Sequence, residues 1–110
     1  MRAATTATTP VVPFKRTSTY PVHQNLPAGV DPAAETVAEI SSVSPDGKTL
    51  AYTDAAGKRV GILDISNPAA SKGLGSIDLS AIENAEPTSV SIIGGYLVVV
   101  VDTLALFNNL

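Results

Sequence analysis

The stretch "SPDGKTLAYTDAAGKRVGILDI", Ser44 to Ile65, reverses direction twice within 22 residues, which leaves the backbone few folds to choose from. Pro45-Asp46-Gly47 is a turn with a mechanism: proline presets φ and glycine accepts a positive one. Ala55 to Lys58, "AAGK", marks the next turn. Between them "TLAYTD" sets Leu50 and Tyr52 on one face against Thr49, Ala51 and Thr53 on the other, the period-two pattern of a strand. "RVGILDI" reads as a further strand, with Val60, Ile62 and Leu63 as core candidates. "AEISSVS" precedes these two as a short strand, and "LGSIDL" follows the loop "SNPAASKG" as an outer one. Residues 38–79 are therefore expected to form a four-stranded antiparallel sheet.

The pattern then restarts. "PTSVSIIGGYLVVVVD" matches "ISSVSPDGKTLAYTD": Val90-Ser91 falls on Val43-Ser44, Gly94 on Gly47 and Leu97 on Leu50, each shifted by 47 residues. One extra residue enters before Asp102, relative to Asp54. A period of about 40–50 residues with four strands per unit is the signature of a β-propeller blade. The expected fold class is all-β: a fragment of a β-propeller, with one four-stranded antiparallel blade plus the first hairpin of the next, over 87–102. Leu50, Tyr52, Val60, Ile62, Leu97 and Val99 are the expected core, and "LVVVV" reads as a strand buried on both faces. Repeat units bury their faces on their neighbours, so about three are usually needed for stability. One and a half units predict marginal folding or self-association.

Composition removes several alternatives. Apolar residues at 45% are too many for a chain disordered throughout. The apolar run Val90 to Val101 contains Gly94-Gly95 and falls short of the about 20 residues of a membrane helix, so no transmembrane segment is expected. The net charge is −3, and the adjacent basic pairs are only Lys15-Arg16 and Lys58-Arg59. Nothing here invites nucleic acid through phosphate neutralisation. Without cysteine, disulfides and thiolate metal sites are excluded. Residues 1–13 lack periodicity and an apolar signal region, and read as a disordered leader or linker. "FKRTSTYPV", Phe14 to Val22, has strand-forming residues that end at Pro21 and fits a lone edge strand. "DPAAETVAE" fits either a helical turn, with Asp31 as N-cap and Pro32 in the first turn, or a loop leading into a strand.

"SPDGKTLAYTD", "RVGILDI" and the following "NP" resemble the strand turns of YVTN-type and WD-like propellers. The longer string "LPAGVDPAAETVAEISSVSPDGKTLAYTD…GILDISNP…EPTSV…GGYLVVVVDT" resembles the first blades of bacterial choice-of-anchor propeller proteins. These are related to the esterase-like domain of phytase and are often labelled alkaline-phosphatase-like. The likeness spans residues 14–103, and the tail at 104–110, "LALFNNL", departs from it. It implies a longer relative that is extracellular or attached to the cell surface, of which this chain is a truncated part. The partners implied are the remaining propeller blades, or a second copy through self-association.

Candidate site residues are sparse. The single histidine, His23, sits beside Gln24 and Asn25 in a loop and reads as an exposed polar residue rather than a metal ligand or general base. Asp31, Glu35 and Glu39 are spaced by four and would share one helical face; a solvated face is favoured over a calcium site. Asp54, Asp64 and Asp102 close strands and are expected to cap turn N–H groups. Glu39 and Glu86 differ by the repeat shift of 47, each just before an innermost strand. They are the candidate metal ligands, for calcium, which accepts oxygen-rich irregular sites; the competing role is structural, accepting backbone N–H bonds from a neighbouring blade. The function expected is a binding or scaffold segment without activity of its own. The alternative is part of a calcium-dependent phosphoesterase or phytase-like enzyme, against which stands the lack of a dense basic set for phosphate.

Overall fold

The computed structural model describes residues 13–103. Of the expected leader only Pro13 lies within that range, and the tail at 104–110 lies outside it. The described chain is all-β apart from one 3-10 turn, Val22–Asn25. Strands β1 (Ser41–Val43), β2 (Thr49–Asp54), β3 (Arg59–Asp64) and β4 (Lys72–Asp78) form an antiparallel sheet in chain order. Strands β5 (Glu86–Ile93) and β6 (Tyr96–Asp102) form a separate antiparallel pair. The expected four-stranded sheet and following hairpin are thus present.

Pairing register divides the large sheet into two faces. Ala51 lies opposite Ile62, and Thr53 opposite Val60, on the front face. Tyr52 lies opposite Gly61, and Leu50 opposite Leu63, on the back. The small sheet covers the front: buried Ala51, Val60 and Val90 form one cluster, with Leu79, Ile92, Leu97 and Val99 packed around it. A polar contact joins the sheets, the Ile92 N–H donating to Ser42 Oγ at 3.0 Å. Because both faces of β2 are covered, four consecutive residues, Ala51 to Asp54, are buried. Of the expected core, Tyr52 and Val60 are buried, whereas Leu50, Ile62, Leu97 and Val99 are half-buried.

The back face is closed by the segment around the 3-10 turn. The Tyr52 ring lies against Gly61, where any Cβ would overlap it. Asn25 is 6% exposed. Its Nδ2 donates to the Tyr52 hydroxyl (3.1 Å), Ile62 O (3.2 Å) and Gly75 O (2.9 Å), and its Oδ1 accepts from the Gly75 N–H (2.8 Å). Ile62 pairs with Gly75 and Leu63 with Gly73, so Leu74 is an extra residue, a β-bulge, with Gly75 at φ 99°. A bulge leaves ladder groups unpaired. The Asn25 amide, which has the same donor and acceptor as a peptide unit, pairs with them.

Two expectations are corrected, for Phe14–Val22 and for "LVVVV", and the open alternative over 31–40 resolves to the loop that leads into a strand. Phe14–Val22 is not an edge strand: the segment is held at the sheet by side chains instead, with Ser18 Oγ donating to Pro68 O at 2.6 Å and the Tyr20 hydroxyl against Gly73. Residues 31–40 make one turn and then run extended, so Asp31, Glu35 and Glu39 share no helical face; Asp31 Oδ1 caps the turn by accepting from Ala33 N–H at 2.9 Å. The "LVVVV" run is buried on one face only: Leu97, Val99 and Val101 turn inward, while Val98 (47%) and Val100 (55%) face solvent. The small sheet has a neighbour on one side alone among the described residues.

Asn25→Ala is expected to cost about 3 kcal/mol, because several part-buried backbone groups lose their partner at once. Asn25→Asp should cost a similar amount, since a carboxylate cannot donate to Ile62 O and Gly75 O. Chemical denaturation of the two variants checks this; a loss below about 1 kcal/mol in both would mean that water replaces the amide.

Candidate functional site

A cleft of mixed polar and apolar lining lies between the two sheets, at the end where the β1–β2 loop meets the β5–β6 turn. It is an open cleft of about 280 Å³. Thr49, Ala51 and Ile62 line it from the front face, Ser44 and Asp46 from the loop, and Ile92, Tyr96 and Leu97 from the small sheet. The loop is rigidly bonded. Ser44 N–H donates to Thr49 O (2.8 Å), Gly47 N–H to Ser44 O (2.8 Å) and Thr49 N–H to Ser44 Oγ (3.0 Å). Asp46 Oδ1 accepts from Ser44 Oγ (2.6 Å) and from Lys48 N–H (3.0 Å). The Ser44 hydroxyl is therefore a strut of the turn, bonded to a carboxylate and a backbone N–H.

The same carboxylate-to-N–H device follows β3 and β4. Asp64 Oδ1 accepts from Ser66 N–H at 2.9 Å, and Asp78 Oδ1 from Ser80 N–H at 2.8 Å. The Ser44 hydroxyl, then the Lys48 N–H, hold the Asp46 carboxyl below its usual 3.8. Ser66 lowers Asp64 in the same way, and the Ser80 N–H lowers Asp78. Asp54 also caps, as expected: its Oδ1 accepts from Gly57 N–H (2.9 Å) and from Val37 N–H (3.1 Å). It is buried, with Arg59 Nη1 at 3.8 Å from its Oδ2. Burial, above all, pushes the Tyr52 hydroxyl above 10.0.

Glu39 is exposed in the extended segment before β1, where its N–H donates to Thr53 O at 3.4 Å. Glu86 is half-buried at the start of β5, opposite Asp102 in the pairing register. The two acids hold different positions relative to their hairpins: β1 is joined to β2 by Ser44–Lys48, and β5 to β6 by Gly94-Gly95 alone. Among the described residues no three His, Asp or Glu side chains gather where a metal ion would sit. His23 is exposed in the 3-10 turn, away from the cleft residues. Among the described residues no helix is long and apolar enough to cross a membrane.

The residue that sequence reasoning missed is Asn25. Its signal is indirect: Gly73 and Gly75 flank Leu74 inside a strand pattern, and isolated glycines in a strand mark a bulge. Compared with protein-family models, with curated proteins and with solved structures, the chain matches none.

The three turn-capping aspartates Asp46, Asp64 and Asp78 generate a pH prediction. A carboxyl whose folded pKa is depressed contributes stability above its unfolded value, and that contribution is lost as pH falls through the folded one. The melting temperature should therefore drop as pH is lowered below 3.8. A triple variant, Asp46→Asn, Asp64→Asn and Asp78→Asn, keeps an oxygen acceptor but no titration, so its acid limb should be flatter. An acid limb identical to that of the parent would show that these bonds contribute nothing to acid sensitivity.

Proposed function

We propose that the chain is a propeller-type scaffold segment, one blade and the first hairpin of a second, which holds and presents β-sheet surfaces and performs no chemistry of its own. The observation that carries this reading is the stacking. The β5–β6 sheet lies with its inner face on Ala51 and Val60 and turns Tyr96, Val98 and Val100 outward. One covered apolar face and one open apolar face is the state of a unit that expects another on its far side. The resemblance of residues 14–103 to choice-of-anchor propellers supports the same reading and places such a segment in a secreted or surface-anchored protein.

Calcium enters only through Glu39 and Glu86. The ion takes about six to eight oxygen ligands, more than two carboxylates supply, so a site there needs further groups from an adjoining blade. The alternative, a calcium-dependent phosphoesterase, rests on the resemblance alone.

Two measurements test the proposal. The purified chain should bind an apolar-surface dye, and Val98→Thr with Val100→Thr should reduce that binding several-fold while leaving the melting temperature nearly unchanged. Absence of dye binding by the parent chain would mean that the outer face is covered in solution. With p-nitrophenyl phosphate, with and without calcium, no turnover is expected; calcium-dependent turnover lost in Glu39→Gln or Glu86→Gln would overturn the scaffold reading in favour of the enzyme.

A further inference from the structure

Free strand edges invite pairing with another chain, and proteins blunt them with short strands, lysine, proline or bulges. Among the described residues the two sheets end in four edge strands, and three are blunted. β1 is only three residues long. β4 starts at Lys72 and is broken by the Leu74 bulge. β5 carries Pro87 and an irregularity between Pro87 and Ser89. β6 has none of these: its seven residues are Tyr96, Leu97, Val98, Val99, Val100, Val101 and Asp102. Its only strand partner among the described residues is β5.

We propose that β6 pairs edge to edge and antiparallel with β6 of a second copy of this chain, in the register centred on Val99. The proposal rests on the scaffold reading only in taking β6 as an open strand. The register follows from the hairpin. Gly94 has φ 58°, Gly95 is not left-handed, and Ile93 faces Tyr96 across the two-residue loop. These are the marks of a type II′ turn, whose flanking pair exchanges backbone bonds. Hydrogen-bonded pairs alternate with non-bonded ones along an antiparallel ladder. Tyr96, Val98 and Val100 therefore direct their backbone groups to β5, and Leu97, Val99 and Val101 direct theirs to the open edge.

A two-fold pairing centred on Val99 matches Leu97 with Val101 of the second copy, Val99 with Val99, and Val101 with Leu97. Every outward-directed residue finds a partner. Centres at Val98 or Val100 leave one of the three unmatched. The side chains agree with this choice. On the outer face Val98 meets Val100 of the second copy, and Tyr96 meets Asp102. Asp102 is the one charged residue of the strand, so the register sets it against a phenol and never against another carboxylate, which would be destabilising. The large sheet packs chiefly on β5 and meets β6 through the inner-face side chains of Leu97 and Val99. The result is a continuous sheet, β5–β6 joined to β6–β5, with the exposed Val98 and Val100 of both copies in one apolar row.

The chain has no cysteine, so introduced thiols report the register cleanly. The test uses the full chain with Val98→Cys and, separately, Val100→Cys, both at exposed positions. In the proposed register position 98 faces position 100 across a non-bonded pair, about 4.5 Å apart between Cα atoms, within disulfide reach. Identical positions lie on a diagonal, about 7–8 Å apart, beyond it. Mild oxidation of the two variants mixed should give several-fold more cross-linked dimer than either alone, and light scattering should show the parent as a dimer that Val98→Lys converts to a folded monomer. Equal cross-linking in all three samples, or more in one variant alone, would overturn the register. A parent chain that is monomeric at every concentration would overturn the pairing itself, while dye binding at Val98 and Val100 would leave the scaffold reading standing.

Discussion

A side-chain amide standing in for a peptide group holds this small β-protein in its observed form. Where β4 bulges at Leu74, the ladder to β3 loses a step, and Asn25 bonds to Gly75 on both its N–H and its carbonyl. The same amide reaches Ile62 O and the Tyr52 hydroxyl. One residue thereby fixes the loop over the back face, satisfies the bulge and orients the Tyr52 ring across Gly61. A buried polar group is tolerable only when paired, so the plug and the bulge require each other. The bulge in turn blunts the outer edge of the large sheet.

The front face follows a different logic. It is closed by small aliphatic side chains, Ala51 and Val60 against Val90, which allow the two sheets to approach closely. That contact uses one face of the small sheet and leaves the other open. Covered and uncovered surfaces therefore alternate along the chain: a loop on the back, the large sheet, the small sheet, and then solvent beside Val98 and Val100. The cleft between the sheets sits at the turn end of this stack, where Asp46 and Ser44 are committed to holding their own loop.

The strands and turns were largely legible in the sequence because their signals are local. Pro45 and Gly47 define a turn within four residues, and "TLAYTD" alternates within six. What was not legible is tertiary. Asn25 is separated from Gly75 by 50 residues, and no pattern near Asn25 announces the bulge it serves. The run of valines in β6 has no alternation to read, so its one-sided burial depends on how many layers stack, which composition cannot tell. The Glu39 and Glu86 pairing rested on a sequence shift. The two hairpins keep the shift at Gly47 and Gly94, both left-handed, but not the register: Val43 faces Leu50, whereas Val90 faces Val99. Equal spacing along the chain thus does not give equal placement in the sheets.

The central claim is that the Asn25 amide replaces a ladder step and is part of the cooperative core. Native-state hydrogen exchange at the Gly75 amide tests it most directly. That N–H donates to Asn25 Oδ1 at 2.8 Å. The account predicts protection of the Gly75 amide equal to that of the central amides of β2 and β3, all exchanging through the same global opening. Exchange at Gly75 much faster than in β2 and β3 would contradict it, and would mean that the loop opens without the sheet.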